Sequence, residues 1–513
     1  MSFFHNVKAA RIAFQESELE AMDRRASVLH NELAAARLVL ARAQHTVDSI
    51  AQDLSGLESR QTDARSRLDD MRAEMSPEVM AALPDDVLRM IFFSLAAQID
   101  DGLAVWRRAG RKHYDDGRAL LPFDLSAVCR RWRAVALASP SFWGSYLALD
   151  SYFESAQECR ALQAYTNLII RRSGSAPLNI VIDWEHLEDE QWATHRVMLG
   201  TILFSMIKEA KRWKSIYAKF RTAAAGAQVL TMFRHATPLL EKVEVYTSAE
   251  ESPNPWRENF PAYLPYCHKL RELSTDVSHV VWRPSLQTPL SVTKLELINV
   301  VIPSQTLWHT LASCPLLIHL AIGVHATEFI WRPSAELNLP TLRELELTDD
   351  GDALLASWAQ SLKLPRLDTL EIRRVHRSHL DVLLPHIAAT LSVLKVTSVP
   401  ILGADELDCL SRITGLTRVE LSICGGSRLS AEFFERWTER QAWPRVEEII
   451  FPRWTRFSDD GAEALLKLIR GRSTELSPES EVRRLTHVEI QGPSIPSWLQ
   501  EQVSLLVVGP PSM

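Results

Sequence analysis

A repeat constrains this chain more than any other feature. The pattern apolar-x-x-apolar-x-apolar begins at Leu240, Leu270, Val292, Leu317, Leu342, Leu367, Leu391, Leu416, Val446 and Leu485. Successive intervals from Leu270 to Leu416 are 22, 25, 25, 25, 24 and 25 residues. Such a period belongs to a stack of small units, none of which can bury its apolar face alone. The alternation of Leu342, Leu345 and Leu347, or of Leu367, Leu370 and Ile372, is that of a half-buried strand. Pro315, Pro340, Pro365 and Pro444 stand two residues ahead of a unit and stop the preceding helix. Helical spacing occupies Ser304 to Ser313, Asp352 to Leu362 and Arg377 to Ala388. The chain is therefore expected to be α/β over 178–513, with a curved parallel sheet inside and helices outside. Leu178–Asp183 and Trp213–Phe220 begin the array irregularly.

The remaining composition narrows the setting. A 513-residue chain is too long for one compact core. Its net charge of −7 argues against general nucleic-acid affinity. The six cysteines form no CxxC pair and read as buried, reduced thiols. Met1 to Gln15 lacks the apolar core of a secretory signal, and Glu16, Glu18 and Glu20 disfavour a transit peptide. The most apolar stretch, Leu380 to Val396, is broken by Pro385, His386 and Lys395, so no membrane span is expected. Cytoplasm or nucleus is the expected location.

Residues 1–76 carry a different signal. From Leu19 to Met75, steps of three and four pick out Met22, Ala26, Leu29, Leu33, Ala36 and Leu40, with Gln61 the one polar interruption. No proline occurs before Pro77. A long coiled-coil helix is expected, either as a homodimer through residues 19–75 or folded back on its own chain.

Residues 77–150 change pattern again. Leu83-Pro84-Asp85-Asp86 places proline and two acids where a helix begins. Val87, Leu88, Ile91, Phe92 and Leu95 follow on one stripe. A second amphipathic helix, Leu125-Ser-Ala-Val-Cys-Arg-Arg-Trp-Arg133, leads to Ser139-Pro-Ser-Phe-Trp143. In this order the motifs resemble the F-box, a helical module that binds a Skp adaptor. The connection over about 98–121 is longer than the family's usual short link and is expected to be an external loop. A helical linker is expected over 151–177. The repeats that follow resemble the leucine-rich-repeat solenoids often joined to F-boxes.

The resemblance implies a non-catalytic subunit of a ubiquitin ligase, linked through the Skp adaptor to cullin and RING subunits and holding a protein substrate. Leu83, Pro84, Val87, Leu88, Ile91, Val128, Cys129 and Trp132 would serve adaptor docking and the module's own core. An interaction scaffold that recruits no ligase is the alternative.

Little in the sequence suggests bond chemistry. No P-loop, GxGxxG, GxSxG, HExxH or kinase signature occurs. His376, His379 and His386 lack a convincing further ligand set, so no metal or cofactor is expected. Basic stretches at Arg107–Lys112 and Lys208–Lys214 include Trp106 and Trp213, a pattern that RNA binding by stacking could use, but neither belongs to a recognisable nucleic-acid module. One constellation does rise above background. The fifth position of the repeat holds Glu244, Glu296, Glu346, Glu371, Glu420 and Glu489 in six of ten units. Alternation turns this position away from the core. The column is either a solvated face, with Lys242, Lys294 and Arg418 as partners, or a binding face for a basic segment of the substrate, centred on Glu296, Glu346, Glu371 and Glu420.

Overall fold

The computed structural model describes residues 52, 54–56, 58–67, 83–107, 115–150, 155–221, 226, 229–247, 264, 267–276, 290–300, 302–324, 333, 335–348, 351–373, 377–399, 403–423, 428–452, 455–474, 482–491, 498–499, 502–503 and 506. The chain divides into two compact units, Met1–Val87 and Leu88–Met513. In the first, the described residues between 52 and 67 are helical and exposed. Most of the expected coiled coil, 19–75, lies outside the described residues.

Among the described residues from 83 onward, four helices precede the sheet: α1 (Asp85–Arg107), α2 (Asp116–Val128), α3 (Arg130–Leu137) and α4 (Pro140–Gly144). Two expectations are corrected here. The loop expected over 98–121 is helical at 98–107 and again from Asp116. Ala96, Ala97, Leu103 and Ala104 are good helix formers. The Asp115 carboxylate accepts from Arg118 N at 3.1 Å, starting α2. The single helix expected over Leu125–Arg133 is two helices, broken at Cys129 (φ −157, ψ 171). There the thiol replaces the usual hydroxyl cap, with Sγ accepting from Trp132 N at 3.4 Å.

The body of the chain is an open, all-parallel, thirteen-stranded sheet whose strands follow one another in sequence order. They are β1 (Leu147–Asp150), β2 (Leu178–Trp184), β3 (Trp213–Phe220), β4 (Lys242–Thr247), β5 (Glu272–Thr275), β6 (Lys294–Val300) and β7 (His319–Val324). A two-residue β8 (Leu337–Asn338) pairs separately with β10 (Leu362–Lys363). The main sheet continues with β9 (Glu344–Thr348), β11 (Thr369–Arg373), β12 (Val393–Val399), β13 (Arg418–Ile423), β14 (Glu448–Phe451) and β15 (His487–Ile490).

The sheet begins at Leu147, one strand earlier than expected. Helix Ala156–Ser173 is thus the crossover from β1 to β2 rather than a linker. A four-residue Leu-Ala-Leu-Asp strand carries too little of the repeat to be read from sequence.

Each repeat unit sits as its pattern requires. The ten units begin two residues ahead of β4, β5, β6, β7, β9, β11, β12, β13, β14 and β15. Leu345, Leu370 and Leu394 face one another in register and are at most 1% exposed, as are the leading Leu342, Leu367 and Leu391. At each leading turn a backbone carbonyl accepts N–H groups from the next unit. Arg343 O takes Asp368 N and Thr369 N, and Asp368 O takes Ser392 N and Val393 N, at 2.9–3.0 Å. Parallel strands need such a crossover on every turn, and helices supply most of them. Helices Ser304–Ala312, Gly351–Trp358 and Arg377–Ile387 match the expected helical stretches. Trp308 and Trp358 meet edge-to-face at 5.2 Å, joining the units that begin at Val292 and Leu342 across the one between them.

One buried cluster extends from Trp143 to Val503. Four of the cysteines, Cys159, Cys267, Cys314 and Cys409, are buried, and burial pushes the Cys267 and Cys314 thiols up to about 12. Cys129 is exposed, contrary to expectation, because it caps α3. Cys424 lies outside the described residues.

Candidate functional site

The eight residues proposed for adaptor docking separate by exposure. Leu88 is fully buried; Leu83, Val87, Ile91 and Trp132 are half-buried; Pro84, Val128 and Cys129 are exposed. Trp132 packs on buried Phe92 at 5.2 Å, and Phe92 on Phe142 at 5.6 Å. Leu88 and Trp132 are therefore better read as core. Trp143, fully buried, donates from Nε1 to Ala136 O at 2.8 Å and ties α4 to α3. Apolar surface remains outside this packing: Met90 is 62% exposed, Val128 59% and Leu137 45%. Sequence reasoning passed over Met90 and Leu137, which lie off the apolar stripe. Exposed apolar side chains of this kind mark an interaction surface where they adjoin in one patch.

The second candidate lies on the far side of the sheet from the helices. Side chains at the third, fifth and seventh positions of the repeat line an open trough of about 1060 Å³ running from Tyr217 to Glu420. All four proposed glutamates are in it. Glu346 and Glu371 are directly opposed in register, and Lys395 faces both Glu371 and Glu420. Ala321 and Ile450 interrupt the column, and both are buried.

Repulsion between neighbouring glutamates is largely cancelled within the trough. Arg373 bridges Glu346 at 3.2 Å and Glu371 at 2.6 Å. Lys242 bridges Glu244 at 3.2 Å and Glu272 at 3.1 Å. Glu296 accepts from Lys294 Nζ at 2.8 Å and from Ser274 Oγ at 2.6 Å, and its Oε1 lies 3.4 Å from His319 Nε2. Burial opposes ionisation of Glu296, but the His319, Lys294 and Ser274 contacts outweigh it and hold the carboxyl down at about 2. Glu346 moves the other way: burial pushes it up, and the Arg373 charge offsets this only in part. Among the described residues, Lys395 and Glu420 form no ion pair within 4.0 Å.

Further trough residues were missed, among them Tyr217, Tyr246, Asp276, His319, Glu344 and Arg373. Their signal was present. Strand alternation puts the third and seventh positions on the same face as the fifth, so Lys242, His319 and Glu344 (third) belong with Tyr246, Asp276 and Arg373 (seventh). Tyr246 Oη lies 2.6 Å from Ser274 Oγ, extending the Glu296 network across β4, β5 and β6. Asp276 accepts from Thr247 N with both oxygens, at 2.8 and 3.0 Å, yet burial pushes its carboxyl up to about 7.

The internal pairing changes what removal of the glutamates should do. Replacing Glu296, Glu346, Glu371 and Glu420 together with Gln leaves Lys294 and Arg373 in the trough without carboxylate partners there. We expect thermal melting to fall by a few degrees, since these half-buried ion pairs contribute beyond the near-zero worth of exposed ones. A rise in melting temperature would mean the pairs contribute nothing.

Several chemistries find no support. Among the described residues no group of three or more His, Cys, Asp or Glu side chains could hold a metal ion. His379 instead sets Nδ1 3.0 Å from the buried Asp352 carboxylate. His376 lies outside the described residues. Trp213, one of the two tryptophans beside the basic stretches, is fully buried with Nε1 donating to Met206 O, so it cannot stack a base. No described helix is long and apolar enough to cross a membrane. No protein-family model matches the chain, and no curated protein matches it.

Proposed function

We propose that this chain is a target-recognition subunit of a ubiquitin ligase, with an F-box over Leu83 to about Trp143 that docks a Skp adaptor and a leucine-rich-repeat-like solenoid that holds the target. The reading rests on the motif order from Leu83 to Trp143 and on the sheet that follows. Its chief structural support is the exposure of Met90, Val128 and Leu137 on helices whose other faces pack Leu88, Phe92 and Phe142. The trough, about 1060 Å³ and polar, suits an extended peptide or loop better than a small apolar ligand. Seven carboxylates against five Lys and Arg side chains line it, which favours a basic segment of the target. In this role the chain performs no bond chemistry. It raises the effective concentration of the target near the conjugating enzyme. A homodimer through residues 19–75 would make that capture bivalent.

Met90→Asp combined with Val128→Asp tests the docking surface. Both side chains are solvent-exposed, so the fold should survive with an unchanged melting temperature. Capture of the Skp adaptor should drop at least tenfold, because a desolvated, unpaired carboxylate replaces an apolar contact. Undiminished capture would remove Met90 and Val128 from the docking surface.

A further inference from the structure

His319 occupies the middle of the trough with an unusual set of neighbours. It stands on β7, in register with Lys294 on β6 and Glu344 on β9. Its Nδ1 lies 3.0 Å from Glu344 Oε2 and its Nε2 3.4 Å from Glu296 Oε1. Both ring nitrogens therefore face carboxylate oxygens. A neutral imidazole carries one N–H, so one of these contacts would set lone pair against lone pair. Only the imidazolium presents an N–H to both, the Nδ1–Glu344 contact having hydrogen-bond geometry and the Nε2–Glu296 contact at 3.4 Å being an ion pair without it.

The two carboxylates are not equivalent. Glu296 is 20% exposed and also held by Lys294 and Ser274. Glu344 is 56% exposed, and His319 is its one ionic partner within 4.0 Å among the described residues. Loss of the imidazolium proton leaves a single N–H for two acceptors, and the exposed Glu344 is the one placed to take a new cation. The other charges facing His319 are Lys294 on β6 and Glu346 on β9, with Arg373 on β11 behind Glu346.

We propose that His319 is a proton switch on this trough: as the imidazolium it occupies Glu296 and Glu344, and as the neutral ring it releases Glu344 to a Lys or Arg side chain of the bound segment. The proposal rests on the trough being the target-docking face. Binding of a basic segment then expels a proton, so affinity rises with pH until His319 is neutral in the free protein as well. Burial disfavours the charged ring, but the two carboxylates outweigh it and hold its pKa above the ordinary histidine value. The change thus falls at a higher pH than for an ordinary histidine. Asp276, at the Tyr246 end of the trough, adds to the same direction, since it too is charged only above about 7.

The test uses the full chain and a short oligo-arginine peptide as probe, with affinity measured by titration calorimetry at pH of about 6 and about 8. For the wild type, affinity should rise by up to about tenfold per pH unit over the part of this range below the His319 pKa. His319→Gln keeps a donor but cannot titrate, and it should lose most of that slope while still binding the peptide. Glu344→Gln should weaken binding at the higher pH and lower the imidazole pKa read by NMR. A wild type that binds with no pH slope, or an unchanged slope in His319→Gln, overturns the switch and leaves the docking face standing. No binding of the peptide by any variant at either pH overturns the docking face and the switch together.

Discussion

Trp443→Ala is expected to destabilise the protein by about 3–5 kcal/mol. Trp443 is fully buried and held at φ +52, outside the usual range for a bulky side chain. Its indole Nε1 donates to Leu410 O at 2.9 Å, a contact between units 33 residues apart in sequence. The ring meets Trp437 edge-to-face at 4.7 Å. Its own carbonyl accepts from Arg472 Nη2 at 3.0 Å, which joins the following helix to the same point. Truncation removes the ring, leaves a cavity and strands the Leu410 carbonyl in the interior. In a stack where each unit contacts only its neighbours, the loss should be local. We expect the β13–β15 end to unfold at lower denaturant than the rest, seen as a split transition. A single transition at the wild-type midpoint would show that Trp443 does not join these units energetically.

Asp276→Asn should make the protein more stable relative to wild type at pH of about 8 than at pH of about 4.5, by as much as about 3 kcal/mol. The Asp276 carboxyl is pushed from 3.8 up to about 7, chiefly by burial. Its folded-state pKa is thus above its unfolded one, so the folded chain binds the extra proton between those values. Stability from this group is fully present below about pH 4 and is lost as pH rises towards 7. The rise from 3.8 to about 7 sets a ceiling of about 4 kcal/mol, reduced because the side chain is only half-buried. Asparagine cannot ionise, and its oxygen can still accept from Thr247 N. Urea denaturation of both proteins at the two pH values measures the effect. Parallel stability curves would mean that Asp276 ionises without penalty.

Much of this architecture was legible because its signal is periodic. Ten unit starts read from leucine spacing all fall two residues ahead of a strand, since alternation and burial are fixed by the same geometry. The sheet-facing column of Glu296, Glu346, Glu371 and Glu420 was legible for the same reason. What escaped was not periodic. β1 is four residues long, and the break at Cys129 depends on a thiol acting as a cap. The helical character of 98–107 was hidden by acids and a glycine that look like loop composition. In the trough, His319 and Arg373 were overlooked because the pattern was read at one position of the repeat. Their roles arise from pairing across strands whose register partners lie 25 residues apart in sequence. The sign of the trough's chemistry followed from those pairings: its carboxylates are shared among fewer cations rather than left bare.

In the proposed reading, Leu83 to about Trp143 dock an adaptor while the sheet holds a target. Mixing the purified full-length chain with a purified Skp adaptor and measuring mass by light scattering on a sizing column tests it most directly. The account predicts an equimolar complex of the two proteins at micromolar concentration, lost in the Met90→Asp, Val128→Asp chain. Two separate peaks at every concentration, with the chain itself folded, would contradict it and leave a repeat protein that recruits no ligase.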